Sequence, residues 1–296
     1  MSAVLEERRA PARAIERVID AQEAPVGTFT VRRALPARER HAVGPWVFLD
    51  HFGPFAVTPG RDGVGPHPHA GIETVTYLLG GRNEHRDSAG HTGVVGALGA
   101  QWMSAGRGVV HAERPLVEEE GERELHGIQL WTSLPRALKS MAPRYQRLEA
   151  RAIPEIVLGG ARVRVIAGEL AGHRGPAETL MPLFLWHVRL APGSQFEASI
   201  DAAHEAAAYV VAGEARFGPG QPHATQAQLA VWSAEEGALR IANAGAAPLE
   251  AMVLGGAPAE GPLVFHGPFV MNSVEQVRAA EIAYRTGRMG TLAETP

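Results

Sequence analysis

Short apolar runs, separated by glycine and proline, recur along the whole chain. The clearest are TVTYLL, GIQLW, ARVRVIAG, LFLWHVRL and AAYVVAG, and 34 glycines and 22 prolines are spread through the 296 residues. Runs of strand length that alternate with turn signals are typical of β-sandwiches and β-barrels. The pattern therefore predicts an all-β protein.

The best candidate for a helix is SVEQVRAAEIAYRTGRMG, near the carboxyl end. Ser273 and Gln276 have the spacing of a capping box, and Gly287 supplies a stop signal. The apolar residues that would face the protein body follow a helical spacing: Val274, Val277, Ala280 and Tyr284. We predict a short helix after Asn272 that packs on the body.

A proline-containing segment separates two strand-rich halves. LPRALKSMAPRYQRLEARAIPEI lacks strand alternation, and ETVTYLLGG in the first half is echoed by AAAYVVAGEARF in the second. Such an echo is what a duplicated β-barrel would produce. We predict two barrels in tandem, with residues 1–132 forming the first, 133–147 a linker, 148–258 the second and 259–296 a tail that carries the helix.

The composition favours small-molecule chemistry. The net charge is −4, and lysine and arginine are dispersed, which argues against a direct nucleic-acid surface. The chain has no cysteine, which excludes disulfides, thiolate catalysis and cysteine-bound metals. Any metal must therefore be held by histidine and carboxylate side chains.

The amino-terminal stretch MSAVLEERRAPARAIERVID is charged and contains no apolar run of signal-peptide length. No window of the sequence approaches the length and hydropathy of a membrane span. We therefore expect a cytoplasmic protein without a membrane partner, and we expect a monomer.

Two pairs of residues have the spacing of ligands on one strand face. His67 and His69 stand two residues apart, and so do His111 and Glu113. Side chains at positions i and i+2 of a strand project from the same face. With 13 histidines in the chain, a single pair with this spacing could arise by chance. Two such pairs on facing strands are far less expected by chance, and they would bring four ligands together. The sequence therefore predicts metal binding.

These motifs resemble the pirin family of the cupin superfamily. The resemblance is carried by HPHAGIETVTYLLGG, HRDSAGHTG and QWMSAGRGVVHAE. It extends over most of the chain through AQEAPVGTFTVRRALP, VFLDHFGPF, HGIQLWTSLP and GGAPAEGPLVFHGPFVMNS. It implies a bicupin, in which two antiparallel barrels face each other and the amino-terminal barrel holds a single metal ion.

In pirins the ligands are three histidines and one glutamate, which the resemblance places at His67, His69, His111 and Glu113. The general cupin pattern instead takes its carboxylate from the first motif, where Glu73 stands, and strand parity from His69 would let Glu73 face the barrel too. The pirin pattern assigns Glu113. Glu73 is then interpreted as a partner of a ligand or as a buried structural acid.

The other polar residues near these motifs receive simpler interpretations. We expect His187 and His204 to be structural or surface residues, so that the second barrel binds no metal. His85 and His91 are expected in an exposed turn, and His126 is expected to pack or to support a ligand. Gln101 is a candidate for the pocket lining, and the nearby glycines, Gly106 and Gly108, are expected to permit a bend.

The resemblance implies two alternative functions. Several pirins resemble quercetinases, which would make the chain a dioxygenase that opens a flavonol or a related aromatic enol with dioxygen, with Glu113 taking up the substrate proton. The ion would be Fe(II) by resemblance, although Ni, Mn, Cu and Zn also suit such ligands. The alternative is a metal- or redox-dependent regulatory protein that binds a protein partner. A natural substrate unrelated to flavonols is a third possibility.

Overall fold

A computed structural model describes residues 11–58, 62–117, 123–218 and 220–292. The first ten residues of the charged amino-terminal stretch and the last four residues of the proposed tail lie outside these ranges. Among the described residues, no helix is both long and apolar enough to cross a membrane.

The described residues form 26 strands, one α-helix and two short 3₁₀ helices, at Arg136–Leu138 and Ala150–Ala152. The first thirteen strands are β1 (Ile15–Asp20), β2 (Gln22–Val26), β3 (Phe29–Leu35), β4 (Trp46–Ala56), β5 (Val64–His69), β6 (Ile72–Gly80), β7 (Arg82–Asp87), β8 (Thr92–Gly96), β9 (Ala100–Ser104), β10 (Val109–Leu116), β11 (Glu124–Ser133), β12 (Arg144–Leu148) and β13 (Glu155–Leu158). The remaining elements are β14 (Ala161–Ala167), β15 (Glu169–Leu170), β16 (His173–Arg174), β17 (Leu183–Leu190), β18 (Gln195–Ala198), β19 (Glu205–Ala212), β20 (Glu214–Arg216), β21 (His223–Thr225), β22 (Gln228–Trp232), β23 (Leu239–Asn243), β24 (Leu249–Gly256), β25 (Val264–His266), β26 (Phe269–Met271) and α1 (Val274–Arg285).

Each barrel combines a large sheet of seven strands with a small sheet of four. In the first barrel the large sheet has the order β12-β9-β6-β11-β4-β3-β2 and the small sheet β5-β10-β7-β8. In the second barrel the orders are β1-β22-β19-β24-β17-β14-β13 and β18-β23-β20-β21. Neighbouring strands pair antiparallel, for example β11 with β6 and β19 with β24. The predicted all-β fold of two tandem antiparallel cupin barrels with a short terminal helix is confirmed.

The two large sheets pack against each other and form the largest core of the molecule. This core joins residues of both barrels, among them Trp46, Val75, Tyr77, Trp102, Leu185, Tyr209 and Met252. The indole Nε1 of Trp46 also donates a hydrogen bond of 3.0 Å to the carbonyl oxygen of Gly255, across the interface. Apolar side chains on one face of each large sheet are therefore committed to the contact between the barrels.

The interiors of the two barrels differ in chemistry. The second is filled by apolar side chains, including Trp186, Phe196, Phe217 and Trp232. In the first barrel, polar side chains such as His69, Thr76, Asn83 and His111 are buried. An apolar interior packs itself, whereas a polar interior must find hydrogen-bond partners or ligands. The fold thus leaves the first barrel as the place for chemistry.

Two strands belong to a different part of the structure from the one that their sequence position suggested. β1 pairs with β22 and extends the large sheet of the second barrel, although it precedes the first barrel in the chain. β12 begins inside the proposed linker and pairs with β9 of the first barrel. The alternation of this short strand was hidden because arginine and glutamine occupy most of it.

The terminal helix begins where it was predicted. Ser273 accepts a hydrogen bond from the backbone nitrogen of Gln276, whose side chain accepts one from the backbone nitrogen of Asn272. The predicted apolar stripe is half wrong, because Val274 is 48% exposed and Tyr284 is 41% exposed. The helix contacts the β25–β26 hairpin and neighbouring apolar residues through a narrower apolar face, which consists of Val277, Ala280 and Ala283.

A buried lysine ties this carboxyl-terminal segment to the first barrel. The ammonium of Lys139 donates to the carbonyl oxygens of Gly71 and Val270, each at 2.8 Å, and to the hydroxyl of Ser133 at 3.0 Å. Burial lowers the pKa of Lys139 to about 8. The hairpin that precedes α1 is thereby fixed beside β5 and β6.

Two tyrosine–histidine pairs cross the contact between the barrels in opposite directions. The hydroxyl of Tyr77 in the first barrel lies 2.9 Å from Nδ1 of His187, whose Nε2 lies 2.7 Å from Oε1 of Glu250. Because Glu250 accepts the hydrogen of Nε2, Nδ1 of His187 must accept from Tyr77. His187 is thus a fully buried structural residue.

The reciprocal pair is Tyr209 of the second barrel with His51 of the first, at 3.0 Å. Arg32 also approaches Nδ1 of His51, at 3.4 Å, and Nε2 of His51 lies 2.7 Å from Nε2 of His126. Burial, together with the positive charges of His126 and Arg32, lowers the pKa of His51 to about 3. His126 therefore packs against His51, as one of its two interpretations predicted.

We expect Tyr77→Phe to lower the free energy of unfolding by about 1–3 kcal/mol, because Nδ1 of His187 is left buried without a donor. Tyr209→Phe should cost less, because Arg32 remains beside His51. Chemical denaturation of both variants and the wild type measures the difference. An equal loss in the two variants would contradict this account of the interface.

Candidate metal centre

Two paired strands of the small sheet bring three imidazoles together in the first barrel. His67 and His69 lie on β5 and His111 lies on β10, with His67 opposite His111 in the register. Ring centroids are 4.3 Å apart for His67 and His111, 4.9 Å for His67 and His69, and 5.0 Å for His69 and His111. One ligand nitrogen from each ring lies within 4.8 Å of the others, and no second group of this kind occurs in the described ranges.

The outer nitrogen of each ring is already engaged. Nδ1 of His67 lies 2.8 Å from the carbonyl oxygen of Gly65, and Nδ1 of His69 lies 3.2 Å from that of Pro268. Nδ1 of His111 lies 3.4 Å from Nδ1 of His85. The Nε2 atoms of His67 and His111 face each other at 2.9 Å. Oriented rings with a converging nitrogen are the usual arrangement of metal-binding histidines, so these residues fit a divalent ion.

Burial keeps these rings in the neutral form that binds metals. Burial, together with the nearby His67, lowers the pKa of His69 to about 3. Burial and the three surrounding histidines lower the pKa of His111 well below its usual value, and burial also lowers the pKa of His67. Three neutral imidazoles at neutral pH are therefore available as ligands.

Glu113 lies beside this cluster but is not part of it. The pairing of β10 with β5 shifts between His111 and Glu113, so that Glu113 is opposite Val64. Its Oε1 accepts hydrogen bonds from the hydroxyl of Thr76 at 2.7 Å and from Nδ2 of Asn83 at 3.2 Å. Within the described part of the chain, its Oε2 accepts none. The structure thus brings Glu113 to the same cavity as the three histidines, with one oxygen available.

Glu73 points to the opposite side of the large sheet. It stands in register with Ser104 and Thr132, whose hydroxyls donate to its carboxylate at 2.6 and 3.3 Å. Burial raises the pKa of Glu73, although these hydrogen bonds oppose the shift. Of the two interpretations given to Glu73, the structure favours the buried structural acid.

Strand parity fails between His69 and Glu73 because the chain bends between β5 and β6. Gly71 has φ +76°, and a Cβ at this position would lie 2.3 Å from the carbonyl oxygen of Val270. Only glycine fits this turn. The inward and outward alternation of side chains is therefore not continuous from β5 to β6, and Glu73 does not share the face of His69.

The expectation that His85 lies in an exposed turn is wrong. The sequence RNEHRD forms strand β7, on which Asn83, His85 and Asp87 are buried and their neighbours are more exposed. The ring of His85 stacks on Tyr145, with a centroid distance of 4.5 Å and an interplanar angle of 12°. His91 is partly exposed and bonds to Asp87.

Gln101 and the two glycines also have defined positions. Gln101 is buried on the same sheet face as its register partner Thr76, but its amide bonds to the carbonyl of Asn83 and to the hydroxyl of Tyr145. It therefore lies behind Asn83 and does not line the cavity. Gly106 and Gly108 have φ +52° and +128° in the turn between β9 and β10, where a bend was predicted. His204 follows β18 in a turn, where its carbonyl accepts a hydrogen bond from Arg13.

An aromatic-walled cavity of about 240 Å³ opens above the three histidines. Phe48 and Trp131 stack in its wall, with centroids 3.9 Å apart and an angle of 10°. Phe29 and Phe52 add apolar surface, and the polar lining is formed by Asp50, Thr76, Asn83, Glu113 and Gln129. This volume is close to the lower limit of about 300–1,000 Å³ that is typical of small-molecule sites. The cavity suits a compact, planar, apolar ligand with a few polar groups.

Comparison with known families agrees with this geometry. A family model described as Pirin matches residues 28–132. A second, described as Pirin C-terminal cupin domain, matches residues 185–290. The first match spans the three histidines and Glu113, and the second includes the segment that supplies Pro268.

Individual relatives are similar over nearly their whole length. A pirin-like protein of Caulobacter vibrioides is 36% identical over 281 residues, which is 93% of this chain and 94% of the relative. A putative quercetin 2,3-dioxygenase of Pseudomonas aeruginosa is 36% identical over 255 residues, covering 83% and 86%. The crystal structure of a quercetin 2,3-dioxygenase from Acinetobacter baumannii has a TM-score of 0.86 at 30% identity, covering 95% of this chain and 100% of that one.

We expect His111→Ala to abolish stoichiometric binding of a divalent ion, because it removes one of the three imidazoles, the one whose Nε2 faces that of His67 at 2.9 Å. Glu73→Gln should bind the ion as tightly as the wild type, because Glu73 faces away from the cavity. Calorimetric titration of the metal-free proteins with Ni(II) measures both. Loss of binding in Glu73→Gln with retention in His111→Ala would show that the cluster is not the metal centre.

Proposed function

The chain belongs to the pirin family, and we propose that it is a metal-dependent dioxygenase of flavonols or closely related planar aromatic enols. One observation carries the proposal: three neutral imidazoles and an available carboxylate oxygen open into the same aromatic-walled cavity. Relatives named as quercetin 2,3-dioxygenases support the choice of reaction.

We propose His67, His69, His111 and Glu113 as the ligands of one ion per chain. Three nitrogen ligands and one oxygen ligand suit Fe(II), and also Ni, Mn, Cu and Zn. Iron is preferred because of the family. Four protein ligands leave positions open on an octahedral ion, which distinguishes this site from a closed structural one. When bound, the ion lowers the pKa of a coordinated hydroxyl group and provides the site at which substrate and dioxygen are activated.

Glu113 is the base for the substrate hydroxyl in this proposal. Thr76 and Asn83 hold its Oε1 in place, which leaves Oε2 to accept a proton from the enol oxygen of the substrate. Because two donors fix the carboxylate, it does not have to be reoriented when substrate enters. Because Oε1 is occupied, Oε2 would serve both roles: it would hold the ion when the cavity is empty and would take the proton when substrate is present.

The cavity walls select and orient the substrate. The stacked pair Phe48 and Trp131 gives the wall aromatic surface that a planar ring can contact, and the surrounding phenylalanines exclude water. The side-chain amide of Gln129 lies 2.8 Å from the hydroxyl of Thr76 and adds a polar group to the lining of the cavity.

The test compares Glu113→Gln with the wild type for bound iron and for oxygen uptake with quercetin. Three imidazoles should retain the iron with weaker affinity, as they do in other enzymes with three histidine ligands. Loss of the base should slow oxygen uptake by about 10²–10⁴-fold. Glu84→Gln, which changes an acid of β7 outside the cavity, is the matched control and should turn over normally.

Two outcomes would overturn parts of the proposal. If Glu113→Gln holds iron and turns over like the wild type, Glu113 is neither the base nor an essential ligand. If the wild type binds iron but consumes no oxygen with quercetin, the flavonol reaction is wrong, and the regulatory alternative gains support.

A further inference from the structure

A buried carboxylate lies behind the metal centre and is connected to it through a histidine. Asp87 stands at the end of β7 and is 4% exposed, and its Oδ2 lies 3.2 Å from Nε2 of His85. Nδ1 of His85 in turn lies 3.4 Å from Nδ1 of His111. The proposed function uses neither residue.

Asp87 is held rigidly by the loop that follows it. Its Oδ1 accepts hydrogen bonds from the backbone nitrogens of Ala89 and His91, at 2.9 and 3.0 Å. Nδ1 of His91 approaches both carboxylate oxygens, at 2.8 and 3.1 Å. Every described partner of this carboxylate can donate, so Asp87 acts as an acceptor.

An acceptor at this position fixes where the hydrogens lie on both rings. Because Asp87 accepts, Nε2 of His85 must carry the ring hydrogen, which leaves Nδ1 as the accepting nitrogen of that ring. Nδ1 of His111 must then donate to it. This leaves Nε2 of His111 with a lone pair directed at His67 and the centre of the cluster, which is the form that a metal ligand needs.

The ring of His85 is also prevented from turning. It stacks on Tyr145, and the hydroxyl of Tyr145 donates to Gln101. Tyr145 comes from β12, which pairs with β9 on the far edge of the large sheet. His85 is thus clamped between the ligand His111 and an aromatic ring of another sheet.

We propose that Asp87 and His85 are positioning residues that set the hydrogen-bonding state and orientation of His111 as a metal ligand. The inference rests on the metal centre of the proposed function, and it adds that metal affinity depends on a carboxylate two hydrogen bonds away from the nearest ligand. Loss of a group that orients a ligand typically weakens metal binding by about 10–100-fold.

Asp87→Asn tests the direction of the hydrogen bonds at nearly constant shape. The oxygen of asparagine can keep the bonds from the backbone nitrogens of Ala89 and His91, while its amide nitrogen would face Nε2 of His85 and Nδ1 of His91 as a donor. His85 must then place its hydrogen on Nδ1, opposite the hydrogen on Nδ1 of His111. His85→Phe is the second variant, because it keeps the stacking on Tyr145 and removes the acceptor.

The measurement is the dissociation constant of Co(II), obtained by titration of the metal-free proteins, together with the visible spectrum of the bound ion and the melting temperature without metal. Both variants should bind Co(II) about 10–100-fold more weakly and change its spectrum, and Asp87→Asn should melt close to the wild type. Asp201→Asn is the matched control, because Asp201 accepts a backbone hydrogen bond from Ala203 in a turn outside the first barrel. It should leave the affinity unchanged.

Unchanged Co(II) affinity and spectrum in Asp87→Asn and His85→Phe would overturn the inference while leaving the metal centre intact. A wild type that binds no divalent ion would overturn the metal centre itself, and the inference with it. A drop in melting temperature without a change in affinity would show that Asp87 serves only the stability of the loop, and would also overturn the inference.

Discussion

Burial of one apolar face from each large sheet against the other sets the direction of the remaining side chains. Along β6, Val75 and Tyr77 face the second barrel, so the intervening Thr76 must face the interior of the first. The same alternation turns Gln129 of β11 inward, next to Leu130, which faces the second barrel. The contact between the barrels therefore determines which polar groups face the candidate metal centre, although His67, His69 and His111 are not part of that contact.

The site is completed by segments distant in the sequence. β5 and β10 supply the histidines, while the hairpin after the second barrel supplies the carbonyl of Pro268 that orients His69. Lys139 holds that hairpin through Val270 and holds the turn between β5 and β6 through Gly71. A chain that lacked its carboxyl-terminal segment would therefore lose the carbonyl that orients His69 in the candidate metal centre, as well as a helix.

The features that could be predicted from the sequence are those that depend on the spacing of residues close together in the chain. Apolar runs between turns indicated the strands, and ligands two residues apart indicated the histidine cluster.

The features that the sequence did not predict were missed for physical reasons. His85 was interpreted as a turn residue because β7 lines a polar interior, so that its alternation of buried and exposed positions contains no apolar residue. Counting residues from His69 allowed Glu73 to face the barrel interior. The bend at Gly71 breaks the alternation of side chains between β5 and β6, and the number of intervening residues does not reveal such a bend. Gln129 and the aromatic wall are assembled by sheet register, which no local pattern specifies.

We propose that one ion lies between His67, His69 and His111, with Glu113 beside it. The most direct measurement is anomalous diffraction from crystals of the Fe(II)- or Ni(II)-loaded protein at the absorption edge of the metal. One peak per chain is expected, within bonding distance of the three imidazoles and of a carboxylate oxygen of Glu113. A peak beside Glu73, a peak in the second barrel, or no peak between the three histidines would contradict it.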